Sequence, residues 1–145
     1  MRGGGSVLYG GNAIAGTVNV ITKDPLKNSF AISSNHAFTN LETPDRTTSI
    51  NGTIVSESLD KGASFYAFNR SRAPWDANGD GFSEMTKIEN TTFGFDFFYN
   101  PDVFSLILLK MFHIDEFRRG GNGFDLPPHQ TDVTEQLDHR ILGGA

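Results

Sequence analysis

The chain has 145 residues, no cysteine and a formal net charge of -5, from 12 Lys and Arg against 17 Asp and Glu. These totals exclude disulfides and thiolate metal sites, and the absence of clustered cations argues against nucleic acid as a partner. The 13 Phe and 16 Gly, beside a mean hydropathy of -0.31, favour strands and turns over a soluble helical domain.

The first 24 residues contain glycine-rich turns and one short predicted strand, Thr17–Thr22, which Asp24-Pro25 terminates because proline cannot donate to a sheet ladder. Residues 2–23 read RGGGSVLYGGNAIAGTVNVITK. This run closely resembles the end of the plug domain in TonB-dependent receptors, which have Arg-Gly-Pro, then Ser-x-Leu-Tyr-Gly, then Ala-x-Gly-Gly-x-Ile-Asn-Ile-Ile-Thr-Lys. It departs from that pattern at Gly4, where proline is usual, and at Ala15, where glycine is common. A generic glycine-rich turn before a strand is the alternative interpretation.

The resemblance implies that residues 1–24 are the C-terminal end of a plug domain. It implies that residues 25–145 are the N-terminal strands of an incomplete β-barrel in the bacterial outer membrane. An intact receptor of this family actively takes up a scarce solute, such as a ferric siderophore, haem, cobalamin or a glycan. Its partners are outer-membrane lipid, the solute and the TonB energy-coupling complex. The segment that contacts this complex is expected to be absent here, so the chain is expected to be a fragment that does not transport alone.

Beyond Pro25 the sequence alternates between polar and apolar residues with a period of two, the pattern of strands with one face buried or in lipid. The clearest example places Phe93, Phe95 and Phe97 opposite Gly94 and Asp96. Predicted strands cover residues 30–39, 47–56, 63–72, 92–100 and 103–117. The lipid-facing side of 63–72 and 103–117 stays open, because the alternation in these two segments is ambiguous.

The predicted connectors are Thr39–Asp45, Glu57–Gly62, Pro74–Asn90, Asn100–Asp102 and Arg118–Asp138. From the second onward, short and long connectors alternate, which is typical of outer-membrane barrels with tight turns at one end and long loops at the other. The sequence therefore predicts an all-β fold: an antiparallel meander that forms part of a transmembrane β-barrel. About five or six strands are expected, preceded by the last strand of a plug.

The first long connector has the composition of a calcium loop. Asp76, Asn78, Asp80 and Glu84 supply oxygen ligands, and Gly81 permits the sharp turn that such loops need. The twelfth position, which holds a bidentate glutamate in helical calcium loops, is Lys87 here. Calcium is thus the expected cofactor, and a solvated loop held by Asx turns is the alternative.

The second long connector offers a weaker metal pattern, in which four residues stand near helical spacing: His129, Asp132, Glu135 and His139. A polar helical turn explains these residues equally well. No arrangement of catalytic residues is visible, since Ser6 lacks the Gly-x-Ser-x-Gly elbow, so no enzyme activity is expected. The alternative to the receptor fragment is a soluble β-rich calcium-binding module or surface adhesin.

Overall fold

The computed structural model describes residues 25–144, and their alternating segments pair into a single antiparallel sheet. The six strands are hydrogen-bonded in chain order: β1 (Ser29–Thr39), β2 (Thr43–Val55), β3 (Lys61–Arg72), β4 (Ser83–Asp102), β5 (Ser105–Gly121) and β6 (Thr134–Gly144). A single 3-10 turn, Pro128–Gln130, interrupts the last loop. The predicted all-β antiparallel meander is confirmed. The predicted plug strand Thr17–Thr22 lies outside the described residues.

No helix within residues 25–144 is long and apolar enough to cross a membrane.

The connectors fall at two ends of the sheet, which we call the loop end and the turn end. The loop end holds the β1–β2 turn (residues 40–42) and the loops 73–82 and 122–133. The turn end holds the short connections 56–60 and 103–104. Both long loops therefore lie at the same end, although the β1–β2 turn beside them is tight.

Several predicted boundaries were wrong, because pairing with neighbours extends strands through polar residues. The connector Thr39–Asp45 is only a three-residue turn, and β2 begins at Thr43. The connector Pro74–Asn90 ends at Phe82, since residues 83–90 already belong to β4, where Ile88 is buried between Arg72 and Arg118 of the neighbouring strands.

The last two connectors also differ from their predictions. Strand β4 runs through Asn100–Asp102, so the tight turn lies at Val103 and Phe104. The Asp102 carboxylate accepts the Phe104 N–H at 2.8 Å and the Ser105 hydroxyl at 2.8 Å, which forms an Asx turn. Strand β5 continues to Gly121, and residues 134–138 belong to β6 instead of to a long loop.

Glycines on one strand lie beneath aromatic rings of the next strand. Four directly opposed pairs share this arrangement: Gly52 with Phe65, Gly62 with Phe98, Gly94 with Tyr66, and Gly143 with Phe112. In each pair, a Cβ on the glycine would collide with the ring. Because each ring occupies the space above one specific glycine, these pairs fix the strand register.

The sheet is a single layer, so it has almost no core of its own. Among residues 25–144, only Ile88 (7% exposed) and Phe98 (6%) are buried apolar side chains. Strand β1 pairs only with β2, and β6 only with β5, within the same residues. The described sheet therefore presents two broad faces and two unpaired edges.

Candidate functional site

The pairing register assigns every strand residue to one of two faces. We call the side that carries Phe93, Phe95 and Phe97 the front face and the opposite side the back face. The register assigns the two ambiguous segments to these faces: Phe65 of β3 opposes Phe95, and Met111 of β5 opposes Phe95 on its other side, so both lie on the front face.

The front face carries an apolar band over the half of the sheet nearest the turn end. It consists of Phe30, Ile32, Ile50, Gly52, Ile54, Ala63, Phe65, Ala67, Phe93, Phe95, Phe97, Tyr99, Ile107, Leu109, Met111 and Leu142. These side chains are exposed to a degree unusual for a water-soluble protein, for example Phe30 at 67%, Phe93 at 51% and Leu142 at 77%. An apolar surface this large and contiguous marks a contact with lipid or another molecule.

The apolar band ends along one row of directly opposed residues. The last row of the band is Ile32, Ile50, Ala67, Phe93, His113 and Leu142. The next row toward the loop end is polar in every strand: Ser34, Thr48, Asn69, Thr91, Asp115 and Arg140. His113 is the exception inside the band, and its ring packs against Phe93 with 5.1 Å between centroids. Five of the six strands thus change from apolar to polar between these two rows, and β5 changes one row earlier, at His113.

The back face is mixed at the level where the front face is most apolar: one polar row lies between a row that carries Phe98 and Leu108 and a row that carries Tyr66 and Phe112. One row behind the band consists of Ser29, Thr53, Ser64, Asp96 and Lys110. Ser29 and Thr53 share a hydrogen bond of 2.7 Å. The Asp96 carboxylate and the Lys110 ammonium stand on directly opposed residues, and such opposite-charge pairs suit a hydrated surface. The front face is therefore almost uniformly apolar over the band, whereas the back face combines polar and apolar residues at the same level.

Toward the loop end the back face becomes strongly charged. Arg70 forms a bidentate ion pair with Asp45, with Nε–Oδ1 at 3.0 Å and Nη2–Oδ2 at 2.6 Å. Arg72 donates to the carbonyl and the hydroxyl of Thr86 at 3.0 and 3.1 Å. Arg118 pairs with Glu116. These contacts link neighbouring strands or neighbouring residues across a surface that stays accessible to water.

The predicted calcium loop is closed by its own backbone. The Asp76 carboxylate accepts the N–H groups of Gly79 (2.7 Å), Gly81 (2.7 Å) and Asn78 (3.2 Å). Glu84 Oε2 accepts the Ala77 N–H at 2.6 Å. Gly79 and Gly81 have φ of 75° and 89°, which glycine adopts without strain.

The remaining predicted ligands of this loop bind each other: Asn78 Nδ2 donates to Asp80 Oδ2 at 2.9 Å, and Asp80 Oδ1 accepts the Phe82 N–H at 2.9 Å. Within the described part of the chain, no group of three or more His, Cys, Asp or Glu side chains could hold a metal ion. Calcium binding by Asp76, Asn78, Asp80 and Glu84 stays a prediction.

Acid should loosen this loop. Desolvation of Asp76 opposes its ionisation, but the N–H groups that surround it outweigh that effect and hold the pKa of its carboxyl below the usual 3.8. A lowered pKa stabilises the closed loop above pH 3.8, and this contribution is lost as the pH falls through the folded-state value. Exchange of the Gly79 and Gly81 amides, followed by NMR, should therefore accelerate in acid beyond its intrinsic pH dependence.

The matched control is Asp76→Asn, which keeps one acceptor oxygen but no charge. Its loop should exchange faster at neutral pH and show no such acid-induced change, and an unaltered pH response would contradict the role of Asp76. The same spectra test calcium: calcium chloride, but not magnesium chloride, should shift the two glycine amides only in the unmodified chain.

The weaker metal pattern does not assemble within the described residues. His129 lies in the 3-10 turn, Asp132 in the following loop, and Glu135 and His139 in β6. Asp132 instead accepts a hydrogen bond from Asn122 at 3.4 Å. Residues at helical spacing share a face only in a helix, and none of these four residues lies in an α-helix. The geometry predicted for this ligand set was therefore wrong.

Sequence reasoning missed the residue that anchors the second long loop. Arg119 is 7% exposed, and its guanidinium donates to the carbonyls of Gly123 (3.0 Å) and Phe124 (3.4 Å) and stacks on the Phe124 ring at 5.5 Å. The segment from 118 onward had been assigned to a connector, where a single arginine carries no signal. Only the extension of β5 to Gly121 reveals it.

No protein-family model matches the chain, and neither the curated proteins nor the solved structures compared with it contain a match. A proposal for the function of the chain therefore rests on its own residues and their geometry.

Proposed function

We propose that this sheet is part of the wall of a transmembrane β-barrel in the bacterial outer membrane, with the front face toward lipid and the back face toward a hydrated lumen. The observation that carries the proposal is the contrast between the continuous apolar band on the front face and the polar row directly behind it on the back face. The row of Phe95 is apolar on the front, while the adjacent row through Asp96 and Lys110 is polar on the back. Lipid-facing and lumen-facing residues alternate in the same way in transmembrane barrels.

The length of the band agrees with a bilayer crossing. From Phe93 to the β4–β5 turn the strand runs for about ten residues, and a tilted crossing needs roughly 9–11. Val103 and Phe104 extend the apolar surface to the tip of this hairpin, where they are 95% and 98% exposed. On this proposal, the β4–β5 hairpin reaches the inner boundary of the hydrocarbon layer.

The unpaired edges of β1 and β6 require neighbours in such a setting. A bilayer supplies no hydrogen bonds, and each unpaired backbone group there costs several kcal/mol. Closure of the barrel by further strands of the same receptor removes both edges. The described sheet on its own is therefore one segment of the transporting structure.

The kind of barrel follows from the resemblance of residues 2–23 to the plug of TonB-dependent receptors. We infer that the intact receptor takes up a scarce solute, such as a ferric siderophore, haem or cobalamin, with energy from the TonB complex. The two loops at the loop end, 73–82 and 122–133, then face the cell exterior. A soluble calcium-binding module or adhesin explains the strands but leaves the exposed apolar band without a partner.

Spin-label accessibility tests the two-faced sheet. The chain has no cysteine, so a single cysteine can replace Phe95, Phe97, Ser64 or Asp96 in turn and carry a nitroxide. In dodecylphosphocholine micelles, dissolved oxygen should relax the labels at Phe95 and Phe97 more than a water-soluble nickel chelate does, and the order should reverse at Ser64 and Asp96. Labels at Phe95 and Phe97 that are shielded from both reagents would indicate a sandwich and would refute the lipid-facing wall.

A further inference from the structure

A groove opens on the front face beyond the apolar band, between β2, β3, β4 and the second long loop. It has a volume of about 460 Å³. Four of its strand residues, Pro44, Arg46, Ser71 and Lys87, belong to front-face rows and continue the surface of the band, while Arg72 at the end of β3 reaches it from a back-face row. Phe124 and Asp125 of the loop complete its lining.

The charged residues that line the groove are three cations, Arg46, Arg72 and Lys87, and one carboxylate, Asp125. Arg72 donates to Thr86, and Lys87 pairs with Glu89 at 2.9 Å. No ion pair or side-chain hydrogen bond engages the exposed guanidinium of Arg46 among residues 25–144. Arg46 is thus the cation that is available to an anionic ligand.

The loop part of this lining is held in place before any ligand arrives. The buried Arg119 donates to the carbonyls of Gly123 and Phe124 and stacks on the Phe124 ring. The groove therefore has a fixed aromatic side and a cationic side, which is a suitable arrangement for a ligand with an anionic head and an organic body.

The position of the groove identifies the ligand. Arg46 lies four residues from Ile50, the last apolar residue of its strand, which is about 13 Å at roughly 3.3 Å per residue. A tilted strand places that point in the headgroup layer just outside the hydrocarbon core, where lipid phosphates lie. Basic groups at this depth are attracted to anionic lipid headgroups.

We propose that this groove, the headgroup groove, binds the phosphorylated headgroup of a membrane lipid whose acyl chains cover the apolar band. Arg46 is the main phosphate contact, Lys87 assists it, and Phe124 packs against the body of the headgroup. The proposal rests on the lipid-facing role of the front face and adds to it a preference for phosphate-bearing anionic lipid at the loop end.

Vesicle binding of the full chain tests the groove, with the single Trp75, next to Pro74 in its wall, as the fluorescent reporter. Vesicles are pure phosphatidylcholine or an equal mixture with phosphatidylglycerol. The unmodified chain should bind the mixture more tightly, and Arg46→Gln should reduce that preference about fivefold, the effect of one cation at an anionic surface. Lys87→Gln should reduce it less.

Arg140→Gln is the matched control, because Arg140 is a front-face cation near the same level but is held by Asp115 at 3.6 Å and Asp138 at 3.8 Å. It should leave the preference for phosphatidylglycerol vesicles unchanged. If this variant loses as much of the preference as Arg46→Gln, the effect comes from general surface charge, and the proposed headgroup groove is wrong. Competition by inorganic phosphate beyond that of chloride at equal ionic strength would identify a free anion as the ligand and also overturn it. Equal binding of the unmodified chain to both kinds of vesicle would refute only the proposed headgroup groove. If it bound neither kind, the proposed lipid-facing wall would be refuted.

Discussion

Replacement of Phe95 by lysine should weaken the association of the sheet with lipid. Phe95 lies within the apolar band, and its directly opposed neighbours are Phe65 and Met111. A cation at this position has no polar partner within its own row and, on the proposed lipid-facing wall, must enter the hydrocarbon layer. On the lipid face of a barrel strand, this costs roughly 2–4 kcal/mol near the bilayer midplane.

Flotation of the full chain with phosphatidylcholine vesicles, at increasing urea, measures this loss. The Phe95→Lys variant should leave the vesicles at a lower urea concentration than the unmodified chain. The control is Ser64→Lys, which places the same cation on the back face, directly opposite Asp96. Because opposite charges on opposed residues stabilise a sheet, this variant should float like the unmodified chain. Equal losses for both lysines would mean that the faces do not differ, and the proposed wall would be wrong.

The strands that could be predicted from the sequence are those whose two faces differ in polarity. The run Phe93–Tyr99 is the clearest, and its alternation is reproduced by the front and back faces of β4. Residues 84–90 of the same strand are not predicted because most of them are polar. Residues 87–90 are held by pairing with β3 and β5, and Met85 by a bridge to Trp75. Backbone pairing of this kind leaves no trace in a hydropathy pattern.

The first predicted connector, Thr39–Asp45, contains a second error of the same kind. It includes Pro44, which is instead the second residue of β2 and opposes Phe38. The Pro44 carbonyl still accepts the Ala73 N–H at 3.2 Å. Pro44 can therefore take part in the end of the sheet although it has no N–H to donate. A proline near the start of a strand is compatible with the ladder, and the sequence alone does not distinguish this from a turn.

The two candidate sites differ in how far apart their residues lie in the sequence. The Asp76 loop consists of neighbouring residues, so its turn-forming pattern was visible and the backbone closure follows from it. The headgroup groove brings Arg46, Lys87 and Phe124 together from three separate segments. Their proximity depends on the register of four strands and on the position of the second loop. No spacing rule applied to the sequence could have identified that combination.

Replacement of Gly94 by valine should destabilise the sheet through a single aromatic ring. A Cβ at this position would lie 2.5 Å from the Tyr66 hydroxyl oxygen and 2.6 Å from Tyr66 Cε1. Valine adds two further methyl groups, so the ring must leave its place over the strand. Overpacking of this kind costs about 1–3 kcal/mol, which exceeds the gain from the higher strand propensity of valine.

The double variant Gly94→Val with Tyr66→Ala separates the collision from other effects of valine. With the ring removed, the valine should be tolerated, so the two changes together should cost less than the sum of their separate costs. Urea unfolding of the full chain in dodecylphosphocholine micelles, followed by circular dichroism, measures all four members of the cycle. Ser64→Val, on the same back face, should have little effect because the two residues directly opposite it, Thr53 and Asp96, carry no ring. If Gly94→Val alone is as stable as the unmodified chain, or if Tyr66→Ala brings no relief, then β3 and β4 do not pair in the register that places Tyr66 over Gly94, and the division into front and back faces loses its foundation.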